Sequence, residues 1–378
     1  MTKNKIFFSS FFLLLIFLIV FRSPCFFQEG YWQIKGDNYY EYSEQNSFLK
    51  SIFYVYNYAG YYDIFRNVVS KFATYFPMFS KLIDIYFSIL IYLAIFSYIY
   101  FSKSIIFNEK KYKVLIIFLI LFSPPMTPEI WLTIAHSKAY FGIFSFILLF
   151  QDFKNLENYK KIIYRFTLIF SGLSSIYASI FAPIYFLRFI IEKNKDTFLN
   201  FLCSLLPLMI NIFTYIKFAS SNSGRFLFDI GKIENFSYNI LIRPFFGSSI
   251  PKFFHSKLNV ENNDTIFIAL FLIVIISILV AYKIYQKKDK IVLLIVASFL
   301  LQSSFVFIGS LYADFVGGRY AVIPGIIILS LFIRLFQIER NYLFKYLFAS
   351  LILMSLTTGL LEFKYFSPLP NIVRCISV

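Results

Sequence analysis

The run IFFSSFFLLLIFLIVF, Ile6 to Phe21, follows Lys3 and Lys5 and carries no charge of its own. A bilayer core demands about 20 predominantly apolar residues per helix, and this stretch with its flanks has that make-up. Comparable runs recur along the chain, and every second gap between them is loaded with lysine and arginine. Those gaps hold Lys103, Lys110, Lys111 and Lys113; then Lys154, Lys160, Lys161 and Arg165; then Lys193 and Lys195. Further on come Lys283, Lys287, Lys288 and Lys290, then Arg334, Arg340 and Lys345. Cytoplasmic loops collect positive charge. The alternation therefore predicts a multi-pass protein of the inner (cytoplasmic) membrane with a cytoplasmic N-terminus. No small-x-small cleavage site follows the first run, whose next residues are Arg22, Ser23, Pro24 and Cys25. It is expected to stay as a signal-anchor helix.

Composition agrees. Of 378 residues, 59% are hydrophobic, 22% aromatic and only 15% charged, whereas soluble domains average about 45–50% apolar and about 25% charged. A formal charge of +16 would suit nucleic acid, but the basic residues are scattered between apolar runs and form no single stripe. Positive-inside bias and anionic headgroups account for them, and no nucleic-acid partner is expected. Cys203 lies in an apolar run and reads as a packing residue. Cys25 and Cys375 both fall outside the membrane, either as two unpaired thiols or as a disulfide.

The expected fold is an all-α polytopic bundle of about 11 transmembrane helices forming one domain over 1–378, counted by apolar length and charge alternation. Its spans fall near 5–22, 80–102, 113–124, 130–150, 162–174, 177–191, 198–217, 264–284, 291–311, 321–337 and 345–361. The pair 162–174 and 177–191 is too short for two full crossings and contains Gly172, Ser174, Ser175 and Pro183. Broken or re-entrant helices are expected there, since irregular backbone at membrane depth survives only where protein or water satisfies it. Two long segments, 23–79 and 218–263, are left on the outer side. The first carries Glu29, Asp37, Glu41, Glu44 and Asp63 among many tyrosines. Its second half, Phe48 to Phe76, alternates apolar and polar residues at helical spacing, as a surface helix along the membrane would.

Three stretches resemble a family of bacterial polytopic glycosyltransferases of the GT-C type. The first runs Arg22-Ser23-Pro24, Gly36-Asp37-Asn38-Tyr39-Tyr40, Tyr58-Ala59-Gly60-Tyr61-Tyr62, Arg66 and Phe76-Pro77. It is similar to the family's Trp-x-Glu-Asp-Gly-like element and following Tyr-x-Gly-Tyr…Arg segment. The second, Pro128-Glu129-Ile130-Trp131-Leu132-Thr133-Ile134-Ala135-His136, resembles the family's Glu-containing turn between short helices. The third, Gly317-Gly318-Arg319-Tyr320 with Pro324, resembles its Gly-Arg-Tyr…Pro element. Three departures stand out. Gly36 replaces the usual Glu, Asn38 the usual Gly, and His136-Ser137-Lys138 a more usual Asn-containing run.

The resemblance implies a GT-C-like fold with a helical first outer loop. It also implies a sugar donor carried on polyprenyl phosphate, with a cell-surface glycan or lipid as acceptor. Attack by an acceptor hydroxyl requires a general base, and the leaving phosphate requires Arg, Lys or a divalent cation. Asp37, flanked by turn-forming residues, is the candidate base, and it reads alternatively as a helix cap. Arg319, after two glycines, is the candidate phosphate contact or else an interfacial arginine. Tyr320 would orient the phosphate or belong to the aromatic belt. Glu129 would bind an acceptor hydroxyl or a divalent ion, or would stabilise a helix N-terminus. His136 and Lys138, polar groups in an apolar run, would line the cleft, and His136 reads equally as a hydrogen-bonded packing residue. Arg66 completes the set. No zinc-type spacing, phosphate-binding glycine loop or nucleophile elbow is present. The rival readings are a transporter or flippase of lipid-linked saccharides, a polysaccharide polymerase, and a non-catalytic scaffold.

Overall fold

The computed structural model describes residues 9, 11–17, 38–57, 60–122, 133–154, 156–218, 236, 238–247, 289–309 and 318–363. The described part of the 23–79 segment forms three short helices, α1 (Asn38–Gln45), α2 (Phe48–Ile52) and α3 (Ile64–Thr74). The helical spacing read from Phe48 to Phe76 is thus split between α2 and α3 and does not make one surface helix. A 3-10 turn, Pro77–Phe79, leads into α4 (Ser80–Phe101), which is followed by α5 (Lys110–Leu121). A second 3-10 turn, Ile134–His136, opens α6 (Ser137–Leu148). Then come α7 (Asn158–Ser174), α8 (Ile176–Ser179), α9 (Ala182–Glu192) and α10 (Lys195–Phe218). A π turn at Tyr238–Ile242 precedes α11 (Arg243–Phe246). The last described elements are α12 (Lys290–Gly309), a 3-10 turn at Gly318–Ala321, α13 (Val322–Ile338) and α14 (Tyr342–Phe363). Among the described residues no strand forms, and the only pairings of strand type are two isolated bridges, Val55 with Tyr62 and Ser104 with Gln151.

Among the described residues four helices are long and apolar enough to cross a membrane: Leu82–Phe101, Lys195–Phe218, Lys290–Gly309 and Tyr342–Leu361. Ser137–Leu148 and Val322–Ile338 are equally apolar but shorter. The chain is an α-helical membrane protein. Much of the sequence near 5–22 and all of 264–284 lie outside the described residues, as do 23–37 and most of 218–263.

The core forms around α13. A helix that is apolar on every side must be surrounded by other helices, and every residue from Val322 to Ile333 is buried. It packs against α5, α6, α12 and α14. Phe11 and Leu15 of the first run join the same core, and Phe11 stacks on Tyr100 with ring centroids 5.7 Å apart. The expected break in the 162–191 region is present. α7 stops at Ser174, and Ser175 is extended (φ −155°, ψ 123°), its side chain accepting from the Ala178 N–H. The single turn α8 then leads into α9, with Pro183 in the first turn. Gly172 makes the break compact, because a Cβ there would lie 2.6 Å from the Pro207 ring of α10. Small residues allow this close approach of helices where lipid offers no hydrophobic drive.

The basic gaps share one end of the bundle. Asp152 donates its N–H to the Lys103 carbonyl at 2.9 Å, tying the α4–α5 link to the end of α6. Asp196 accepts from Lys161 at 2.8 Å and Arg165 at 2.6 Å, joining the starts of α7 and α10. Asp289 pairs with Arg334 at 2.8 Å, and Gln337 donates to the Ile106 carbonyl at 3.0 Å. Arg188, almost wholly buried, spends its guanidinium on the Leu149 and Gln151 carbonyls and Glu192. Away from these loops, α3 meets α4 and α7, and the chain just before it reaches Lys138 of α6 and Asn211 of α10.

Candidate functional site

Helices as short as α1 and α2 are marginal by themselves, so something must satisfy their ends. α3 does this. Lys71 donates to the Ser43 and Asn46 carbonyls at 2.7 Å, and Asn67 donates to the Ile52 and Tyr54 carbonyls at 2.7 and 2.8 Å. The Tyr62 hydroxyl also reaches the Ile52 carbonyl at 2.7 Å. Burial pushes this hydroxyl's pKa up to about 12, and the neighbouring Asp63 carboxylate acts in the same direction. The chain reverses before Tyr62 through Gly60 at φ 69°, whose N–H donates to the Tyr56 carbonyl at 2.9 Å. That left-handed conformation is the physical reason for glycine in the Tyr-x-Gly-Tyr pattern.

Asp63 is fully buried and caps α3, accepting from the Arg66 N–H at 3.1 Å. The Arg66 guanidinium lies over the Tyr39 ring, 4.1 Å from its centroid. Tyr39 meets Tyr54 edge-on at 5.3 Å, and Tyr42 stacks on Tyr54 at 4.1 Å. From a distant part of the chain, Lys138 in the first turn of α6 places its ammonium over Tyr61, 4.1 Å from the ring centroid, and donates to its hydroxyl. Both cations sit half-buried on aromatic faces, where the ring quadrupole favours positive charge.

Three further contacts hold this assembly. Asp84, buried near the start of α4, accepts from the Ile134 N–H at 2.8 Å and so fixes the turn that carries His136. The Ser175 hydroxyl donates to the Lys138 carbonyl at 2.7 Å, linking the helix break to α6. Asn211 of α10, fully buried, accepts from the Tyr62 N–H at 3.1 Å and donates to the Gly172 and Pro207 carbonyls at 3.1 Å. One amide thus joins the turn at Tyr62, the end of α7 and the Pro207 carbonyl within α10.

Of the residues singled out from sequence, Arg66 lies on Tyr39 and Lys138 on Tyr61, both in the same loop assembly, and His136 lies in the 3-10 turn just before Lys138. Tyr320 is half-buried in the turn before α13 and packs with Tyr177 of α8 against Ile240, Val306 and Ala321. Arg319 shares that turn, but its side chain lies outside the described residues, as do Asp37 and Glu129 entirely. α1 begins at Asn38, one position after Asp37. Among the described residues no group of three or more His, Cys, Asp or Glu side chains is arranged to hold a metal ion. Cys203 is a half-buried free thiol packed against the main core.

Sequence reasoning passed over Asp63 as one acidic residue among several, and it missed Asp84 and Asn211. A signal existed for the last two. A carboxylate and an amide inside apolar runs are costly unless they meet protein partners.

A bundle of apolar helices, with buried carboxylates and two aromatic-seated cations gathered at one end, defines a helical membrane protein with a polar terminal site. Comparison with family models, curated proteins and solved structures finds no match.

Proposed function

We propose that this protein is a membrane glycosyltransferase of GT-C type. It would transfer a sugar from a polyprenyl-phosphate donor to a cell-surface glycan or lipid on the extracytoplasmic face. The observation that supports this best is the convergence of two cations from separate segments on one loop assembly: Arg66 seats on Tyr39 beside the buried Asp63, and Lys138, tied to the helix break at Ser175, seats on Tyr61. The convergence lies at the end of the bundle remote from the basic loops. A lipid-linked donor arrives by lateral diffusion, so a site at a helix-bundle end needs no soluble nucleotide sugar. Its leaving phosphate carries charge that Arg and Lys neutralise.

In this reading Asp37 is the general base and Arg319 the phosphate contact, with Tyr320 orienting the phosphate. Glu129 meets the acceptor or a divalent ion, while His136, Lys138 and Arg66 line the cleft. The test is sugar transfer in membranes supplied with a panel of polyprenyl-phosphate hexoses. Asp37→Ala is expected to lose on the order of 10²–10⁴-fold in rate, the usual contribution of a positioned base, while remaining in the membrane. Undiminished transfer by that variant would remove Asp37 from the mechanism. Translocation of the lipid-linked sugar without product would replace the transferase reading by a flippase.

A further inference from the structure

We infer that the elbow joining α3 to α4 is a membrane-inserted anchor. Its outward side chains would be seated in the headgroup–acyl boundary of the leaflet next to the candidate site. Phe72, Tyr75, Phe76, Met78, Phe79, Leu82 and Tyr86 are all exposed, and Met78 has 92% of its surface open. Large apolar side chains in such a series are not left to water without a partner.

Two observations identify the partner as lipid. First, the patch is continuous with the outer face of α4, one of the four helices suited to crossing a membrane, through Leu82, Tyr86 and Leu90. Second, the segment Phe72–Ile83 contains no Asp or Glu and one cation, Lys81. The next carboxylate, Asp84, is buried and occupied by the Ile134 N–H. A surface of Phe, Tyr and Met in a segment without acids suits a lipid interface. The inner face of the same elbow is already used. Phe65 packs edge-on against Phe87 at 6.3 Å, and Val69 and Ala73 are buried with Tyr40 and Ile134. The anchor thereby sets the depth at which α3 holds Asp63 and Arg66. It rests on the membrane character of the chain and is independent of the transferase reading.

The test uses the full-length protein with its three native cysteines replaced, reconstituted in vesicles of mixed zwitterionic and anionic phospholipid. Met78→Cys or Phe79→Cys carries a spin label, and Gln45→Cys on the exposed side of α1 serves as the aqueous reference. Met78 touches little, so its replacement leaves packing intact. Labels at 78 and 79 are expected to collide with oxygen in preference to a water-soluble nickel chelate. Their reaction with a membrane-impermeant maleimide should be about tenfold slower than at 45, as for side chains seated below the headgroups. Equal maleimide reactivity at 45 and 78 would overturn the anchor. Labels shielded from both oxygen and nickel would also overturn it, because protein and not lipid would then cover the patch.

Discussion

Asn211 shows how much one side chain can organise. Its amide accepts the Tyr62 N–H and donates to the Gly172 and Pro207 carbonyls while wholly buried. Asn211→Leu keeps the volume but strands those groups, at a cost of about 1–3 kcal/mol for each buried group left without a partner. A lowered midpoint in detergent thermal unfolding should follow, together with faster proteolysis of the 38–74 loop. An unchanged midpoint would show that the network is dispensable. Tyr62 makes a pH prediction. Its folded pKa, near 12, lies above the usual 10.0, so below pH 10 both folded and unfolded chains keep the proton. Between roughly pH 10 and 12 the unfolded chain releases it while the folded one retains it. Loop stability should therefore fall as pH rises through that window. Proteolytic protection of 38–74 that stays constant up to pH 12 would contradict this. The residues at this scale were only partly legible from sequence. Arg66 and Lys138 were singled out, yet their seating on Tyr39 and Tyr61 depends on which distant segments meet, and spacing along the chain does not encode that.

At the scale of elements, apolar length and charge alternation placed α4, α10, α12, α13 and α14 to within a few residues of their ends. The interruption near Ser175 was also legible, because Gly172, the serines and Pro183 cannot sustain one long helix in lipid. The loop was read less well. Phe48 to Phe76 keeps helical periodicity across a turn at Gly60, but only α3 buries an apolar face, with Val69 and Ala73, while Phe48 and Leu49 of α2 stay exposed. The break is also a point of mechanical sensitivity. Gly172→Val would drive a side chain into the Pro207 ring, already 2.6 Å from the position a Cβ would take. Overpacking of this kind costs about 1–3 kcal/mol. The variant should unfold at lower temperature, and a second change, Pro207→Gly, which removes both the Cβ and the Cγ that the new side chain would meet, should restore part of the loss. Failure of the pair to compensate would place the clash elsewhere.

For the molecule as a whole, the positive gaps that suggested topology do gather at one end, bound by Asp196, Asp289, Arg188 and Gln337. The candidate site occupies the other end, and Phe11 against Tyr100 brings the first run beside the basic one. The account stands on which compartment each end faces. Single cysteines at exposed Glu41 of α1 and exposed Glu157 before α7, in a chain otherwise free of cysteine, allow that to be read in intact cells with a membrane-impermeant maleimide. The account predicts labelling at 41 in intact cells and at 157 only after permeabilisation. Labelling at 157 in intact cells, with 41 protected until the membrane is opened, would contradict it.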